Sequence, residues 1–468
     1  MATKHTFKAT ADKARSPSGL SDQLAQYPLL AALQGRRSRR FGLGMEIPSG
    51  PLTFRSRHAP LPLDEAEEAA LAFAACGLTG YALADLSYGP GQGGSMLAGL
   101  VGRTVGSPDA INTVSLVITN DEATYLLKRP QDFMPAEIHP LIQLAQQGDL
   151  TDLYRHSRVK IADGRTAPPV KPGYNFNINK WSLYAPGSSY FLPINEMTAI
   201  YINALLEAFD ETMALYILDE RANFRPAGIA RFGRSKGGHL SDDPATGRAA
   251  TIQAIELSLA EAVAIEQGMM LQNLGLMTQT LGLGGFPNFA RHEFGWFEAL
   301  GFRMGKMPAS RYLGANRLIS LLLKWLKRDP PLPYPLGLER HGLTLLKPYC
   351  PPYYPTMTEA VRAYLEFKFG PQGVFRSGAE ASGWQNPAQA AAQIAAPGEA
   401  AIAATIAYCD YIYHRYGRFP AYSAPFRTVL GYQATHVDVD FYDRFYRPEA
   451  LTETQRNHQA NWPNHGQK

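Results

Sequence analysis

Cysteine is scarce in this chain. Cys76, Cys350 and Cys409 are the only three, and they stand far apart. So sparse and odd a set excludes a disulfide framework and fits a reducing compartment. An excess of charge is lacking too, since 45 basic residues meet 41 acidic ones for a formal net charge of +4. Diffuse attraction to nucleic acid has no whole-chain basis, and no nucleic-acid partner is expected. Long apolar runs are also missing. A long charge-free stretch, 269–290, carries Gln272, Asn273, Thr278, Gln279, Thr280 and four glycines. A bilayer helix needs roughly 20 mainly apolar residues, so no membrane span or membrane partner is expected. The N-terminal MATKHTFKATADKARSPSGLSD has no apolar run of the secretory type. No repeat period recurs. These absences lead to the expectation of a cytoplasmic globular protein with a disordered tail over residues 1–22.

What is present suffices for a large core, because 45% of the 468 residues are hydrophobic. A helix-like stretch, Gln23 to Leu33, precedes the basic run Arg36-Arg37-Ser38-Arg39-Arg40. Asp64 with Glu67 three places on forms a capping-box pattern, which predicts a helix from there to Cys76. Thr113 to Thr119 and Thr212 to Leu218 are short, apolar and β-branched, and predict core strands. Asn195 to Phe209 predicts a helix. Glu256 to Leu281 predicts another, apolar on nearly every face and therefore central. The last ~110 residues, Ala-rich and then aromatic, look like a separate module.

Three motifs invite chemistry. Gly89 to Gly94 fits G-x-G-x-x-G, but no βαβ unit surrounds it, so a loop is the better reading. His436, Asp438 and Asp440 would share one face of a strand and could ligate a divalent ion. A polar outer face explains them as well, and no metal is assigned. The Arg36–Arg40 run places guanidinium forks and a serine hydroxyl together, a set suited to a phosphate.

Four stretches together resemble the FMN-dependent nitroreductase family, in particular the branch of the azoline-oxidising dehydrogenases. They are Arg36-Arg37-Ser38-Arg39-Arg40-Phe41; Leu61-Pro62-Leu63-Asp64-Glu65 leading to Gly77-Leu78-Thr79-Gly80; Ser107-Pro108-Asp109-Ala110-Ile111-Asn112; and Glu266 through Gln272-Asn273-Leu274 to Gly282-Leu283-Gly284-Gly285. The third departs from the family pattern, since Val114-Ser115-Leu116 stands where the family has Gln-Pro-Trp.

The resemblance implies an α+β fold with a central, mostly antiparallel sheet flanked by helices, and a homodimer burying the long helix. It implies a flavin domain, placed over 23–350; residues 351–468 have no counterpart in the family, and their Ala-rich and aromatic sequence leads to the expectation of a largely helical C-terminal extension or cap over part of the cofactor groove. FMN would be held by Arg36, Arg37, Ser38, Arg40, Pro108, Asn112, Gly284 and Gly285, with no catalytic side chain assigned. The implied activity passes a hydride through the flavin to a nitro-, quinone- or heterocycle-like small-molecule substrate, NADH or NADPH serving as donor. The alternative is a non-catalytic flavin- or ligand-binding protein of the same fold.

Overall fold

The computed structural model describes residues 19–83, 99–168, 181–290 and 293–461. The stretch 89–94 and most of the expected tail lie outside these. A helix, Gly19–Gln26, begins within the last residues of that tail, and Pro28 separates it from a second, Leu29–Gly35.

Six strands make the centre: β1 (Val114–Thr119), β2 (Ala123–Leu127), β3 (Arg158–Asp163), β4 (Ser189–Glu196), β5 (Gly284–Phe289) and β6 (Leu430–Thr435). They pair antiparallel in the order β5-β6-β4-β1-β2-β3, and the short Phe426–Arg427 also joins β4. Every residue of β1 and β4 is buried, so the sheet is covered on both faces. This is why β1 reads as a continuous apolar run.

The helices that matter for function are α1 (Glu65–Cys76), α2 (Ile252–Leu281), α3 (Arg317–Trp325), α4 (Glu399–Tyr416), α5 (Val439–Phe445) and α6 (Glu453–Asn461). The capping box opens α1 as expected. The Asp64 carboxylate accepts from the Glu67 amide at 2.8 Å, and the Glu67 carboxylate accepts from the Asp64 amide at 2.9 Å. Alanines at 69, 70, 72 and 75 let α1 lie close to α2 over one sheet face, around Leu71, Leu116, Phe191 and Leu274. The other face packs on Trp296 and Phe297, with Trp296 stacked on Tyr190 at 5.0 Å.

Three expectations need correction. The first concerns α2, which is two-faced rather than apolar all round. Leu259, Val263, Met270 and Leu274 are buried, whereas Leu257 (56%) and Ile265 (61%) are exposed. Its buried polar groups are paired, as in Gln267, whose side-chain oxygen accepts from the Val429 amide at 3.0 Å. The second is that only Tyr216–Asp219 of the Thr212 to Leu218 run forms a strand. It lies in a small side sheet with Arg225–Pro226 and Ala249–Thr251.

The third concerns residues 351–468, which are not an extension laid over a finished domain. β6 comes from them and sits between β5 and β4. The aromatics of α4 and the loop after it pack into the core in the same way. Tyr408 shares a 2.7 Å hydroxyl hydrogen bond with Tyr201, and Phe419 stacks on the Tyr201 ring at 4.9 Å.

Glu256 of α2 ties into this C-terminal region by accepting from the amides of Ala421 and Tyr422, both at 2.6 Å. Burial pushes its pKa up to about 8 from the ordinary 4.5, against the pull of those bonds and of Arg418. A raised folded-state pKa contributes stability that is full below the unfolded value and lost as pH rises through the folded one. The melting temperature is therefore expected to fall from about pH 4.5 to beyond pH 8. Glu256→Gln should flatten that fall in thermal melts taken across the window, and an equal slope in the variant would assign the effect elsewhere.

Candidate functional site at the end of the long helix

α2 stops at Gly282, whose φ of +77° closes the helix in the left-handed region that glycine adopts without strain. The chain then enters β5. The segment after Gly35 runs alongside, and Arg39 forms an antiparallel bridge with Gly285 while Gly42 bridges Val437. The beginning, middle and end of the sequence thus meet at one point. Close approach requires the glycines. A Cβ on Gly284 would lie 2.6 Å from the Arg39 carbonyl oxygen, and one on Gly285 would lie 2.5 Å from the Tyr432 ring. Both are buried against their own chain, so they seat the arginine segment.

Within the run the arginines divide by direction. Arg39 points inward and is 2% exposed. Its Nε donates to the Ala450 carbonyl at 2.8 Å, Nη1 to Gln279 Oε1 at 2.8 Å and Nη2 to the Gly35 carbonyl at 3.1 Å. Burial draws its pKa down to about 10, so it remains a cation at neutral pH. Arg36 is half-buried, its stem against Gly275. Arg37 is exposed and donates to the carbonyls of Gln34 and Arg36 at 3.0 and 2.9 Å. Ser38 is exposed beside it. Arg40 lies over the Phe286 ring, 4.8 Å from its centroid. Among the described residues neither Arg36 nor Arg37 has a carboxylate within salt-bridge distance. Phe41 closes the segment: its amide donates to the Tyr442 hydroxyl at 3.1 Å and its ring stacks on Phe441 at 4.1 Å.

Pro108 and Asn112 stand apart from this group. Pro108 opens a 3-10 turn, and Asn112 follows it buried at φ +52°. The Asn112 side-chain amide donates to the carbonyls of Ala110 (2.9 Å) and Val101 (3.3 Å), holding its own loop. This loop meets α2 at Glu266, which accepts from Thr113, and Gly106 abuts Met269. The arginine segment meets α2 at Gly275 and Gln279. Nine residues of helix, about 14 Å along the axis, separate Glu266 from Gly275. Of the expected site residues, the structure brings together Arg36, Arg37, Ser38, Arg40, Gly284 and Gly285, and places Pro108 and Asn112 in a second group.

Asn112 lines a cavity of about 410 Å³, which sequence reasoning missed. Its polar end holds Arg129, Asp132 and Glu196, and Tyr349, Tyr364 and Phe133 wall the rest. Arg129 is forked onto Asp132 at 3.1 and 3.0 Å. Burial works against its charge, and Asp132 more than offsets this, holding the guanidinium above its usual range. Burial raises the Glu196 carboxyl, opposed by hydrogen bonds from Thr198 and by Arg129. With Arg129 paired to Asp132, Lys347 also in the lining and aromatic rings for walls, the cavity suits a small, flat molecule. No single stretch signals it, because its walls come from six separated parts of the chain.

The strand-face metal set is not assembled. β6 ends at Thr435, and Asp438 caps α5 by accepting from the Phe441 amide at 3.2 Å. Asp440 is half-exposed and pairs with His58 at 3.7 Å. His436 turns instead toward Glu67 and His458, the three offering ligand atoms within 4.8 Å of one another. Hydrogen bonds already link this cluster: His436 Nδ1 lies 2.9 Å from His458 Nε2, and His436 Nε2 lies 3.2 Å from the Pro62 carbonyl. It fastens α6 to the start of α1.

No protein-family model matches the chain, and no curated protein does. A solved structure from Ralstonia eutropha JMP134, provisionally described as a nitroreductase, is similar over 59% of this chain and 77% of its own. The identity is 13% and the TM-score 0.27. Likeness at that level identifies neither fold nor activity.

The division of the arginines is testable through stability. Arg39→Ala removes a buried cation and its three hydrogen bonds, to the half-buried carbonyls of Ala450 and Gly35 and to Gln279, and should cost about 2–4 kcal/mol. Arg37→Ala, at an exposed position, should stay within about 0.5 kcal/mol of wild type. Urea unfolding of both variants measures the difference. Equal stabilities would mean that Arg39 is not the lock described above.

Proposed function

We propose that the chain is an FMN-dependent oxidoreductase of nitroreductase type, reducing a nitro-, quinone- or heterocycle-like small molecule with NADH or NADPH as donor. One observation carries this reading. The Arg36–Arg40 run and the Gly284-Gly285 pair entered from a resemblance as separate motifs, far apart in sequence, and they bond backbone to backbone at the end of α2.

The residues there fit an anionic group. Arg36, Arg37 and Arg40 would hold the FMN phosphate together with the Ser38 hydroxyl, since guanidinium forks and hydroxyl donors match phosphate oxygens. One of Arg37 and Arg40 would instead stand near the ring edge, where a cation favours reduced flavin. Bound FMN supplies the hydride and electron chemistry. The chain's own part is to position and to exclude water. Arg39 fixes the segment from inside, Gly284 and Gly285 let it pack, and the cavity at Asn112 is the space assigned to the acceptor.

One observation favours the second reading, a flavin- or ligand-binding protein without turnover. Val114, Ser115 and Leu116 are interior residues of β1, so none offers a side chain at the surface where the family pattern has Gln-Pro-Trp. Reduction of bound flavin by NAD(P)H, followed as loss of absorbance near 450 nm, separates the two readings.

The exposed face of α2 supports a homodimer. Leu257, Ile265 and Met269 lie on it, and a Cβ on Gly268 would meet nothing within 4 Å among the described residues. Glycine inside a helix costs roughly 1 kcal/mol against alanine, and intrachain packing gives no reason for it. A partner helix crossing closely at Gly268 does.

Two outcomes follow. Arg36→Ala combined with Arg40→Ala should give folded protein with flavin affinity lowered about ten- to hundredfold. Flavin per protomer read against circular dichroism tests this, and undiminished flavin content would reject the assignment. Ile265→Asp should shift the light-scattering mass at micromolar concentration from dimer to monomer. A wild-type chain that is already monomeric would refute the dimer.

A further inference from the structure

The helix α3 is built inside out. Its nine residues, Arg317–Trp325, read RLISLLLKW, and none of them is buried. At about 100° per residue, Leu318, Ile319, Leu321, Leu322, Leu323 and Trp325, continued by Leu326, cover an arc of roughly 200°. Arg317, Ser320, Lys324 and Lys327 occupy the rest. A helix packed on a core turns its apolar arc inward, but here only Ser320 and Leu323 are half-buried, and Arg317 and Lys324 stand exposed at the edge nearest the protein. Arg317, Ser320 and Lys324 line a cavity of about 310 Å³ against Arg311, Asp329 and Arg415. Apart from half-buried Leu323 the apolar arc is exposed, with Leu318 at 78% and Trp325 at 79%, and none of its residues is buried.

Charge surrounds this ridge with one sign. Residues 303–329 hold seven basic side chains and one acid, Asp329. That acid is already engaged, accepting from the Ser310 amide at 2.8 Å and hydroxyl at 2.7 Å. Arg415 is paired with Asp219 at 2.8 Å. Arg311, Arg317 and Lys324 remain around the cavity with no carboxylate of their own among the described residues.

We infer that α3 is a docking surface for an anionic phospholipid membrane, the leucines and Trp325 entering the interface while the basic rim and cavity receive headgroup phosphates. An apolar ridge of leucine and tryptophan flanked by lysine and arginine is the pattern of an in-plane interfacial helix. Such a helix needs no span, and no described helix is long and apolar enough to be one. The expectation of no membrane partner rested on the missing span alone. A second copy of the chain is the poorer occupant, because a twofold contact through this patch would set like charges opposite each other. The inference does not depend on flavin.

Flotation of the full-length protein with vesicles tests it. Three parts phosphatidylcholine to one part phosphatidylglycerol should carry the protein upward at least about tenfold more than phosphatidylcholine alone. Leu322→Ser with Trp325→Ser should abolish this, and Lys324→Glu with Lys327→Glu should lower it by roughly tenfold or more. All four positions are exposed, and circular dichroism confirms folding. Failure to float with the anionic vesicles overturns the proposal. Flotation of the Ser variant at the wild-type level also overturns it, because the attraction would then be charge alone. A fall in light-scattering mass of the Ser variant in vesicle-free buffer would assign the ridge to a second copy and overturn it as well.

Discussion

β6 is bonded on one side to β5 and on the other to β4, so the sheet is not complete until residues 430–435 have arrived. This pairing is the constraint on which the candidate site depends. Tyr432 of β6 presses its ring against Gly285 and shares a 2.8 Å hydrogen bond with Thr278 of α2. Immediately after β6, Val437 bridges Gly42, and α5 brings Tyr442 and Phe441 to the amide and ring of Phe41. Without β6 in place the arginine segment would have neither its backbone partners nor its aromatic floor. A site held by contacts so distant in sequence forms only with the whole core, since distant pairings bear their loop-closure entropy before any contact offsets it.

The same geometry separates anchoring from binding within one short basic run. Arg39 must be an arginine because three acceptors at different angles surround it, and a lysine has no planar fork with which to reach them. Arg36 and Arg37 keep their charge unspent on carboxylates among the described residues. Alternation along an extended segment turns Arg39 inward and its flanking residues Ser38 and Arg40 toward the other side. The inner residue thus fixes the backbone from which the outer ones project. This makes the segment a rigid platform rather than a mobile charged loop, and preorganised donors lose less entropy on meeting an anion.

Much of the local structure was legible. The Asp64–Glu67 capping box, the buried run at 114–119 and the long helix ending at Gly282 are each specified by neighbours within a few residues. What was not legible is set by distant partners. Glycine at 284 and 285 is explained by the Arg39 carbonyl and the Tyr432 ring, each more than a hundred residues away in sequence. His436 looked like one face of a strand with Asp438 and Asp440. The strand ends at Thr435, however, and Asp438 is spent on capping α5. The aromatic cluster from Tyr408 to Tyr422 resembled a lid, but Tyr201, Phe209 and Asp219 draw much of it into the core. Asp219 accepts from the hydroxyls of Tyr411 and Tyr416 at 2.6 and 2.8 Å.

Two helices of this chain show how far amphipathic pattern alone can mislead. α2 reads as apolar throughout, yet its buried side includes Glu256, Glu266, Gln267 and Gln279, each hydrogen-bonded to a partner outside the helix. Its exposed side keeps Leu257 and Ile265. α3 has a clean division into apolar and polar arcs, which for a core helix would predict burial, and it buries nothing. The difference lies in what each helix can reach. α2 is packed against α1 and the sheet, where a polar group left without a donor or acceptor is costly. α3 follows a turn held by Asp329 and meets the body at Ser320 and Leu323, so most of its leucines cover no apolar surface among the described residues. Which face of a helix is inside is therefore decided by the element opposite it, and a pattern with no such element in its own chain is evidence for a surface outside it.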